Sequence, residues 1–186
     1  MGQLGTRLIA LVLLVLALPL MLTIALASAL TQGHPVVFTQ DRAGIRTVPF
    51  RLIKFRSMRD VRDSDGNLLP DAQRVTRFGS FLRRTRLDEI PGLINVARGE
   101  MAFVGPRPLL PETIKGLGAL GAERCEVRPG LTGWSQVNGN TLLSLQQKVA
   151  LDLWYIRNRS WLLDARIIGM TFVVMIAGER MGAGRV

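Results

Sequence analysis

The segment from Leu8 to Leu30 constrains the fold most, because it runs for about 23 residues without a charged side chain, enough to cross a bilayer as a straight helix. Pro19 lies near its centre, where a proline removes a backbone hydrogen bond and kinks a helix. Each arm of such a kinked helix would measure roughly 16 Å, about half of the hydrocarbon thickness. The segment is thus a spanning helix, a re-entrant helix or a signal peptide. The signal peptide is disfavoured, because Arg7 is the only charge before it.

The charge balance favours partners that carry negative charge. The formal net charge is +10, from 24 basic and 14 acidic residues, and nearly all of the basic residues are arginines. Arginine makes planar, bidentate contacts with phosphate groups. Anionic lipid headgroups and phosphorylated substrates both suit this balance. We expect no nucleic acid partner, because aromatic residues do not interleave with the basic run at 83–86 and no groove-reading motif is present.

One cysteine and one histidine limit the chemistry that the chain can perform. With Cys125 alone, no intrachain disulfide forms, and a structural zinc site is disfavoured. His34 is likewise single. Any reaction must therefore rely on carboxylates, arginines or lysines.

Local patterns predict an α/β fold that is mostly helical, in a single compact domain with a small β-hairpin or sheet. Asp88 suits the N-cap of a helix, and Pro91 is tolerated in its first turn. No internal repeat or low-complexity linker indicates a second domain. The expected elements are strands at 36–38 and 50–58, helices at 76–86 and 88–99, and a long amphipathic helix through Leu142, Leu145, Val149, Leu153 and Ile156.

The Trp and Tyr residues of the chain all lie beyond residue 130, and arginines are interleaved with the later ones. Amphipathic aromatics next to cations suit the headgroup layer of a membrane, although they also serve as core residues. The apolar stretch 167–177 is too short to span a bilayer and predicts an interfacial or core helix. The aromatic residues are Trp134, Trp154, Tyr155 and Trp161.

Asp88 and Glu89 form a carboxylate pair just after a run of arginines that includes Arg83. At a helix N-terminus, unpaired N–H groups can receive a phosphate and keep a nearby carboxylate ionised. An ionised aspartate can attack phosphorus and form an acyl phosphate. Carboxylates beside a diphosphate also suit Mg²⁺. Taken alone, the pair is better explained by helix capping.

Two further patterns add cations. Pro106 and Pro108 restrict the backbone on both sides of Arg107 and present its side chain with little loss of entropy. Lys54 and Arg56 alternate along the second expected strand and would face the same side. Each pattern alone is also compatible with a structural turn or a solvated strand face.

Together these motifs resemble the monotopic phosphoglycosyl transferases, a family of small bacterial enzymes that initiate glycoconjugate synthesis. The matching stretches occur in the family's order and cover nearly the whole chain. They are 38–44 (FTQDRAG), 54–58 (KFRSM), 87–91 (LDEIP), 103–108 (FVGPRP) and 128–133 (RPGLTG) with 136–139 (QVNG).

The resemblance implies that a sugar 1-phosphate is transferred from a UDP-sugar to undecaprenyl phosphate and that UMP is released. It also implies Mg²⁺ as the cofactor. Asp88 matches the nucleophile that carries the phosphosugar. Glu89 matches its partner, either as a Mg²⁺ ligand with Asp88 or as a base on the lipid phosphate. The positions expected to bind phosphate or substrate are Lys54, Arg56, Arg83, Arg107, Arg128, Gln136 and Asn138, and the structural prolines are Pro19, Pro106 and Pro108.

The resemblance also implies a re-entrant membrane helix at 1–32 and a catalytic domain with interfacial helices at 33–186. The protein would then be monotopic, on the cytoplasmic face of the bacterial inner membrane. Leu18 stands where many members have serine before the kink proline, and Asn140 stands where many have arginine. The alternative is a non-catalytic basic module anchored to anionic lipid. The sugar and the oligomeric state stay open.

Overall fold

The computed structural model describes residues 2–179 and contains, in that range, nine α-helices and four β-strands. Three short 3₁₀ turns connect them at 45–47, 87–92 and 140–142. The strands are β1 (Val37–Ala43), β2 (Pro49–Phe55), β3 (Ala102–Val104) and β4 (Gly130–Thr132). The helices are α1 (Gln3–Gln32), α2 (Asp71–Arg74), α3 (Arg77–Arg84), α4 (Leu93–Arg98), α5 (Pro111–Gly116), α6 (Ala119–Arg124), α7 (Trp134–Val137), α8 (Leu145–Asn158) and α9 (Trp161–Ala177). The prediction of a mostly helical α/β domain with little sheet is confirmed.

Helix α1 is the apolar segment, and it continues through Pro19 for 30 residues before ending at Gly33. Among residues 2–179 it is the one helix that is long and apolar enough to cross a membrane, and only 11% of its 18-residue apolar window is buried. Apolar side chains left uncovered by protein require another apolar environment. Helix α1 therefore associates with a membrane.

Both halves of α1 pack against the rest of the chain. In the first half, Ala10 is fully buried in a cluster with Phe50 of β2. In the second half, Ile24 packs with Phe55 at the end of the same strand and with Leu82 of α3. The remainder of the domain therefore lies along the helix, and not only at one of its ends.

Strands β1 and β2 form the expected hairpin. They pair antiparallel, with Phe38 opposite Lys54, and β1 extends to Ala43 beyond the predicted strand end. Lys54 is one residue before the end of β2. The 3₁₀ turn 87–92 packs against this strand, so the hairpin places Lys54 close to the turn.

The parallel pair β3–β4 was not predicted. It joins two of the motifs, because the N–H of Gly105 donates to the carbonyl of Thr132 at 2.9 Å and that of Gly130 donates to Pro106 at 3.0 Å. A Cβ on Gly105 would lie 2.5 Å from the carbonyl oxygen of Arg128, so this close approach requires glycine. The Pro106–Pro108 turn is thereby held against the loop that precedes β4.

The prediction of helix α3 is confirmed, and the side chain of Thr76 caps that helix. The prediction of a helix that begins at Asp88 is wrong for its first turn. Residues Leu87–Gly92 form a 3₁₀ turn, and α4 starts only at Leu93. The N-cap of that turn is Arg86, with φ 55°, and its side chain makes no capping bond. Asp88 is thus not a cap, and it does not stand at the N-terminus of an α-helix.

Most of the C-terminal aromatics are core residues. Trp134 is 6% exposed and stacks on Trp154 with ring centroids 5.2 Å apart, and Tyr155 is 4% exposed. Helices α7 and α8 bury Trp134 and Tyr155 in one cluster, and the half-buried Trp154 packs against it, so the core alternative holds for Trp134 and Tyr155. Trp161, at the start of α9, is 75% exposed and remains a candidate for the membrane interface.

Helix α9 presents one apolar side to the protein and leaves another exposed. Ile167 is fully buried, whereas Phe172, Val173 and Ile176 are exposed. The long helix α8 that precedes it is confirmed from Leu145 onward and begins with a Ser144–Gln147 capping box, whereas Leu142 lies in the 3₁₀ turn before it. Helix α9 thus has the uneven burial expected of an interfacial helix.

Candidate active site

The 3₁₀ turn that follows α3 presents two carboxylates in unlike surroundings. Asp88 is 7% exposed, and none of the described residues donates a hydrogen bond to its carboxylate. Glu89 accepts a hydrogen bond from Nη2 of Arg107 at 2.7 Å. One carboxylate is therefore held in an ion pair and the other is available to a ligand.

Burial is the main influence on Asp88. It raises the pKa of this carboxyl to about 6, and the charge of Glu89 adds to the rise. The cations Lys54, Arg107 and Arg83 act in the opposite direction. At neutral pH Asp88 is mostly ionised, and its carboxylate is more basic than that of an ordinary aspartate.

The Glu89–Arg107 pair behaves differently. Burial alone would raise the pKa of Glu89, but the charge and hydrogen bond of Arg107, together with Lys54, bring that pKa below its usual value. The same pairing raises the pKa of Arg107. Glu89 therefore stays ionised and poorly basic, which suits a positioning or ligating carboxylate more than a general base.

Arg107 is positioned by a buried ionic network that the sequence analysis missed. Nη2 of Arg124 donates to the carbonyl of Arg107, and Nε of Arg124 donates to Asp152 at 2.8 Å. Ser135 donates its hydroxyl to the other oxygen of Asp152 at 2.7 Å. Because Arg124 and Asp152 are 4% and 1% exposed, the network fixes the backbone of the Pro106–Pro108 turn from inside the domain.

A small pocket opens beside Glu89 and Arg107, and Lys54 and Arg42 are also in its wall. Nη1 of Arg42 donates to the carbonyl of Pro108 at 3.3 Å. Burial lowers the pKa values of Arg42 and Lys54, and the nearby charge of Arg107 lowers them further. Three cations thus converge where phosphate oxygens can be bound. Arg42, within the FTQDRAG motif, was missed as a site residue.

The other predicted cations divide between the site and its surroundings. Nε of Arg83 donates to the hydroxyl of Ser57 at 2.9 Å, and its charge acts on Asp88. Arg56 lies past the end of β2 and bonds to the carbonyl of His34 and to Asp60. Because the strand ends at Phe55, alternation does not carry Arg56 to the side of Lys54.

The other three predicted substrate-binding residues donate hydrogen bonds to backbone carbonyls. Arg128 donates from Nε to the carbonyl of Gly99 at 2.8 Å and lines a different groove. Gln136 and Asn138 are 1% and 4% exposed and donate to the backbone carbonyls of Leu131 and Trp134, respectively. In this structure they stabilise the loop after β4.

Arg86 and Glu179 join the site from positions that were not singled out. Nη2 of Arg86 donates to the carbonyl of Gln136 at 3.0 Å and lies 3.7 Å from Glu179, and its Nη1 is buried without a partner among the described residues. Glu179 accepts hydrogen bonds from Asn140 and Thr141. Arg86 belongs to the basic run seen in the sequence, whereas nothing in the sequence marks Glu179.

The donor set allows a substrate-borne Mg²⁺. Residues 2–179 contain no group of three or more His, Cys, Asp or Glu side chains that could hold a metal ion. Mg²⁺ often takes only one or two protein carboxylates and completes its octahedron with phosphate oxygens and water. Asp88, which receives no hydrogen bond from the described residues, and the adjacent Glu89 fit that requirement.

The chain is similar to known bacterial transferases over most of its length. The sequence profile of the bacterial sugar transferase family matches residues 3–178. The "Uncharacterized sugar transferase EpsL" of Bacillus subtilis is 46% identical over 147 residues, which cover 79% of this chain and 73% of that protein.

Two relatives have names that state a reaction. The undecaprenyl-phosphate glucose phosphotransferase of Komagataeibacter xylinus is 46% identical, over 86% of this chain and 33% of that protein. The UDP-glucose:undecaprenyl-phosphate glucose-1-phosphate transferase of Escherichia coli is 41% identical, over 88% of this chain and 37% of its own length. The chain spans about a third of each of these two relatives. This chain belongs to the bacterial sugar transferase family.

Proposed function

We propose that this protein transfers a sugar 1-phosphate from a UDP-sugar to undecaprenyl phosphate and releases UMP. One observation carries the proposal: Asp88 is a nearly buried carboxylate that receives no hydrogen bond from the described residues, and the charges of Lys54, Arg83 and Arg107 act on it. The names of the relatives support both substrates. UDP-glucose is the donor to test first, because both of these names specify glucose.

In the first step, an oxygen of Asp88 attacks the phosphorus that bears the sugar. The new Asp88 O–P bond forms as the bond from that phosphorus to the bridging oxygen breaks, and UMP leaves with the bonding electrons. Arg107 and Lys54 neutralise the charge that develops on the phosphate oxygens. A Mg²⁺ ion bound by Asp88 and Glu89 would supply further charge neutralisation at the diphosphate.

In the second step, a phosphate oxygen of the lipid attacks the same phosphorus, and the Asp88 carboxylate is released. Undecaprenyl phosphate already carries an anionic oxygen near neutral pH, so this attack needs little help from a base. The low pKa of Glu89 agrees with that requirement. Glu89 would thus orient Arg107 and bind the metal ion, with no proton transferred to it.

We further propose that α1 is re-entrant and that the protein is monotopic on the cytoplasmic face. The support is that an arginine joins each end of α1 to the same domain. Near the first end, the guanidinium of Arg7 packs on Gly99, and at the other end Arg59 donates to the carbonyl of Thr31 at 2.7 Å. Charged groups stay in or near the headgroup layer, so both ends belong at one face.

Cysteine labelling tests the topology. Gly2→Cys and Gly33→Cys, each in a Cys125→Ser background, flank the two ends of α1. A membrane-impermeant maleimide should label both variants in inverted membrane vesicles and neither in intact spheroplasts. Labelling of one variant from each side would establish a spanning helix instead.

The activity is tested by UMP release from UDP-glucose with undecaprenyl phosphate and Mg²⁺. The purified protein should release UMP, and Asp88→Asn should abolish the release. A panel of UDP-sugars then identifies the donor. A non-catalytic lipid-binding module would release no UMP with any donor.

A further inference from the structure

A groove of about 860 Å³ lies between the first turns of α1 and the start of α9. It shares only Met101 with the pocket beside Glu89. Its volume is that of a ligand site. Its apolar wall includes Phe103, Trp161 and Ile168, and its charged residues are Arg7, Arg128, Arg159, Glu126 and Asp164.

Two arginines in this groove converge on Gly99. The guanidinium of Arg7 occupies the position next to Gly99 that a side chain would take, since a Cβ there would lie 2.2 Å from its Nη2. Arg128 donates from Nε to the carbonyl of the same glycine at 2.8 Å. Gly99 has φ +80°, which glycine adopts without strain. Two positive charges are therefore brought to one residue.

Among residues 2–179, no carboxylate lies within ion-pair distance of these two arginines. Neither Arg7 nor Arg128 is in an ion pair, and Nε of Arg7 is buried without a hydrogen-bond partner. Of the two acids in the groove, Asp164 accepts the hydroxyl of Tyr155 at 2.7 Å and Glu126 is exposed. Burying a guanidinium without a counter-ion is unfavourable, so binding of an anion would stabilise this site.

The surroundings indicate what kind of anion this is. Trp161 of α9 lines the groove, Leu4 and Leu8 are sequence neighbours of the lining residues Gln3 and Arg7, and all three are more than half exposed. Exposed apolar residues of that kind lie in the bilayer, and an arginine beside them lies at the level of the lipid phosphates. The charge suits a phosphate, and the apolar wall suits an acyl chain.

We propose that this groove binds an anionic glycerophospholipid of the surrounding membrane. Its phosphate lies between Arg7 and Arg128, and an acyl chain follows Phe103, Trp161 and Ile168. The lipid is not a substrate. It neutralises the two arginines and fastens the first turns of α1 and α9 to the headgroup layer.

The test is native mass spectrometry of the delipidated full-length protein with dioctanoyl phosphatidylglycerol. One lipid should bind the wild-type protein, and Arg7→Gln and Arg128→Gln should each weaken binding about tenfold, as expected for a charge-assisted contact. Arg62→Gln, an equal charge change in an exposed loop, should leave binding unchanged. Arg7→Lys should weaken binding less than Arg7→Gln, because it retains the charge.

Competition in the same experiment identifies the source of the phosphate. Inorganic phosphate at the same concentration and dioctanoyl phosphatidylcholine should not displace the bound lipid. Displacement by inorganic phosphate would indicate a simple anion site, and displacement by undecaprenyl phosphate would assign the groove to the reaction. Either result, or equal binding by wild type and Arg7→Gln, overturns the proposal. Within residues 2–179 the Arg7 side chain makes no hydrogen bond, so the melting temperature of Arg7→Gln without lipid should match that of the wild type.

Discussion

Arg107 donates a hydrogen bond to Glu89 at 2.7 Å, and this contact leaves the adjacent Asp88 as the carboxylate of the pair that is not held by an arginine. The two neighbours consequently have opposite pKa shifts, upward for Asp88 and downward for Glu89. Different environments thus give adjacent carboxylates different roles. The following predictions depend on this difference.

Asp88→Asn should stabilise the protein at pH 8 while it abolishes turnover. Burial makes the ionised Asp88 unfavourable, with a folded pKa of about 6 against 3.8, so the charged form costs up to about 3 kcal/mol above pH 6. Well below pH 3.8, Asp88 is protonated in both the folded and the unfolded state, so the stability gained by Asp88→Asn should vanish there. Unfolding in detergent at several pH values measures it, with the exposed Asp65→Asn as control. Lower stability of Asp88→Asn at pH 8 would contradict the burial argument.

Turnover should decrease as the pH falls through about 6, because the attacking carboxylate of Asp88 becomes protonated. Initial rates of UMP release between about pH 5 and 8 measure this acidic limb. Plotted as kcat/KM against pH, the limb reports the apparent pKa of the free enzyme. Asp65→Asn should give the same profile. A rate that stays constant down to about pH 5 would mean that Asp88 is not the titrating group.

Glu89→Gln should move the acidic limb to lower pH. The negative charge of Glu89 is the second cause of the raised pKa of Asp88, so its removal lets the cations Lys54 and Arg107 lower that pKa. The maximal rate should also fall, because Arg107 loses its partner. The pH profile separates this effect from a general loss of structure, which would lower the rate without moving the limb.

Asp152→Asn should reduce the free energy of unfolding by about 3 to 5 kcal/mol, because Arg124 is left with a buried, uncompensated charge. Urea or thermal unfolding in detergent measures the loss. The double variant Arg124→Met with Asp152→Leu removes both charges and should recover much of the stability. If the single variant equals the wild type, the network does not anchor the Arg107 turn.

Local signals in the sequence were sufficient for some elements. Helix α3 could be predicted because Phe78, Phe81 and Leu82 recur at helical spacing, and all of that information lies within one short segment. The β1–β2 hairpin has the same local character. The apolar length of α1 likewise indicated a membrane helix, whatever its neighbours.

Contacts between distant segments were not readable. Strands β3 and β4 have three residues each and pair across a long stretch of chain, so neither shows a periodic pattern. Arg107 and Arg128 both adjoin a proline in matched motifs, yet only Arg107 reaches Glu89. Residue type alone does not distinguish a 3₁₀ turn from the start of an α-helix, so the sequence predicts a helix cap at Asp88 where the structure has a 3₁₀ turn.

The measurement that tests the central claim most directly uses a UDP-sugar with radioactive phosphorus next to the sugar, without any lipid acceptor. The wild-type protein should become labelled, undecaprenyl phosphate should then remove the label, and hydroxylamine should release it, as for an acyl phosphate. Asp88→Asn should stay unlabelled, whereas Asp65→Asn should label like the wild type. A wild-type protein that turns over but never carries the label, or a labelled Asp88→Asn, would contradict the account.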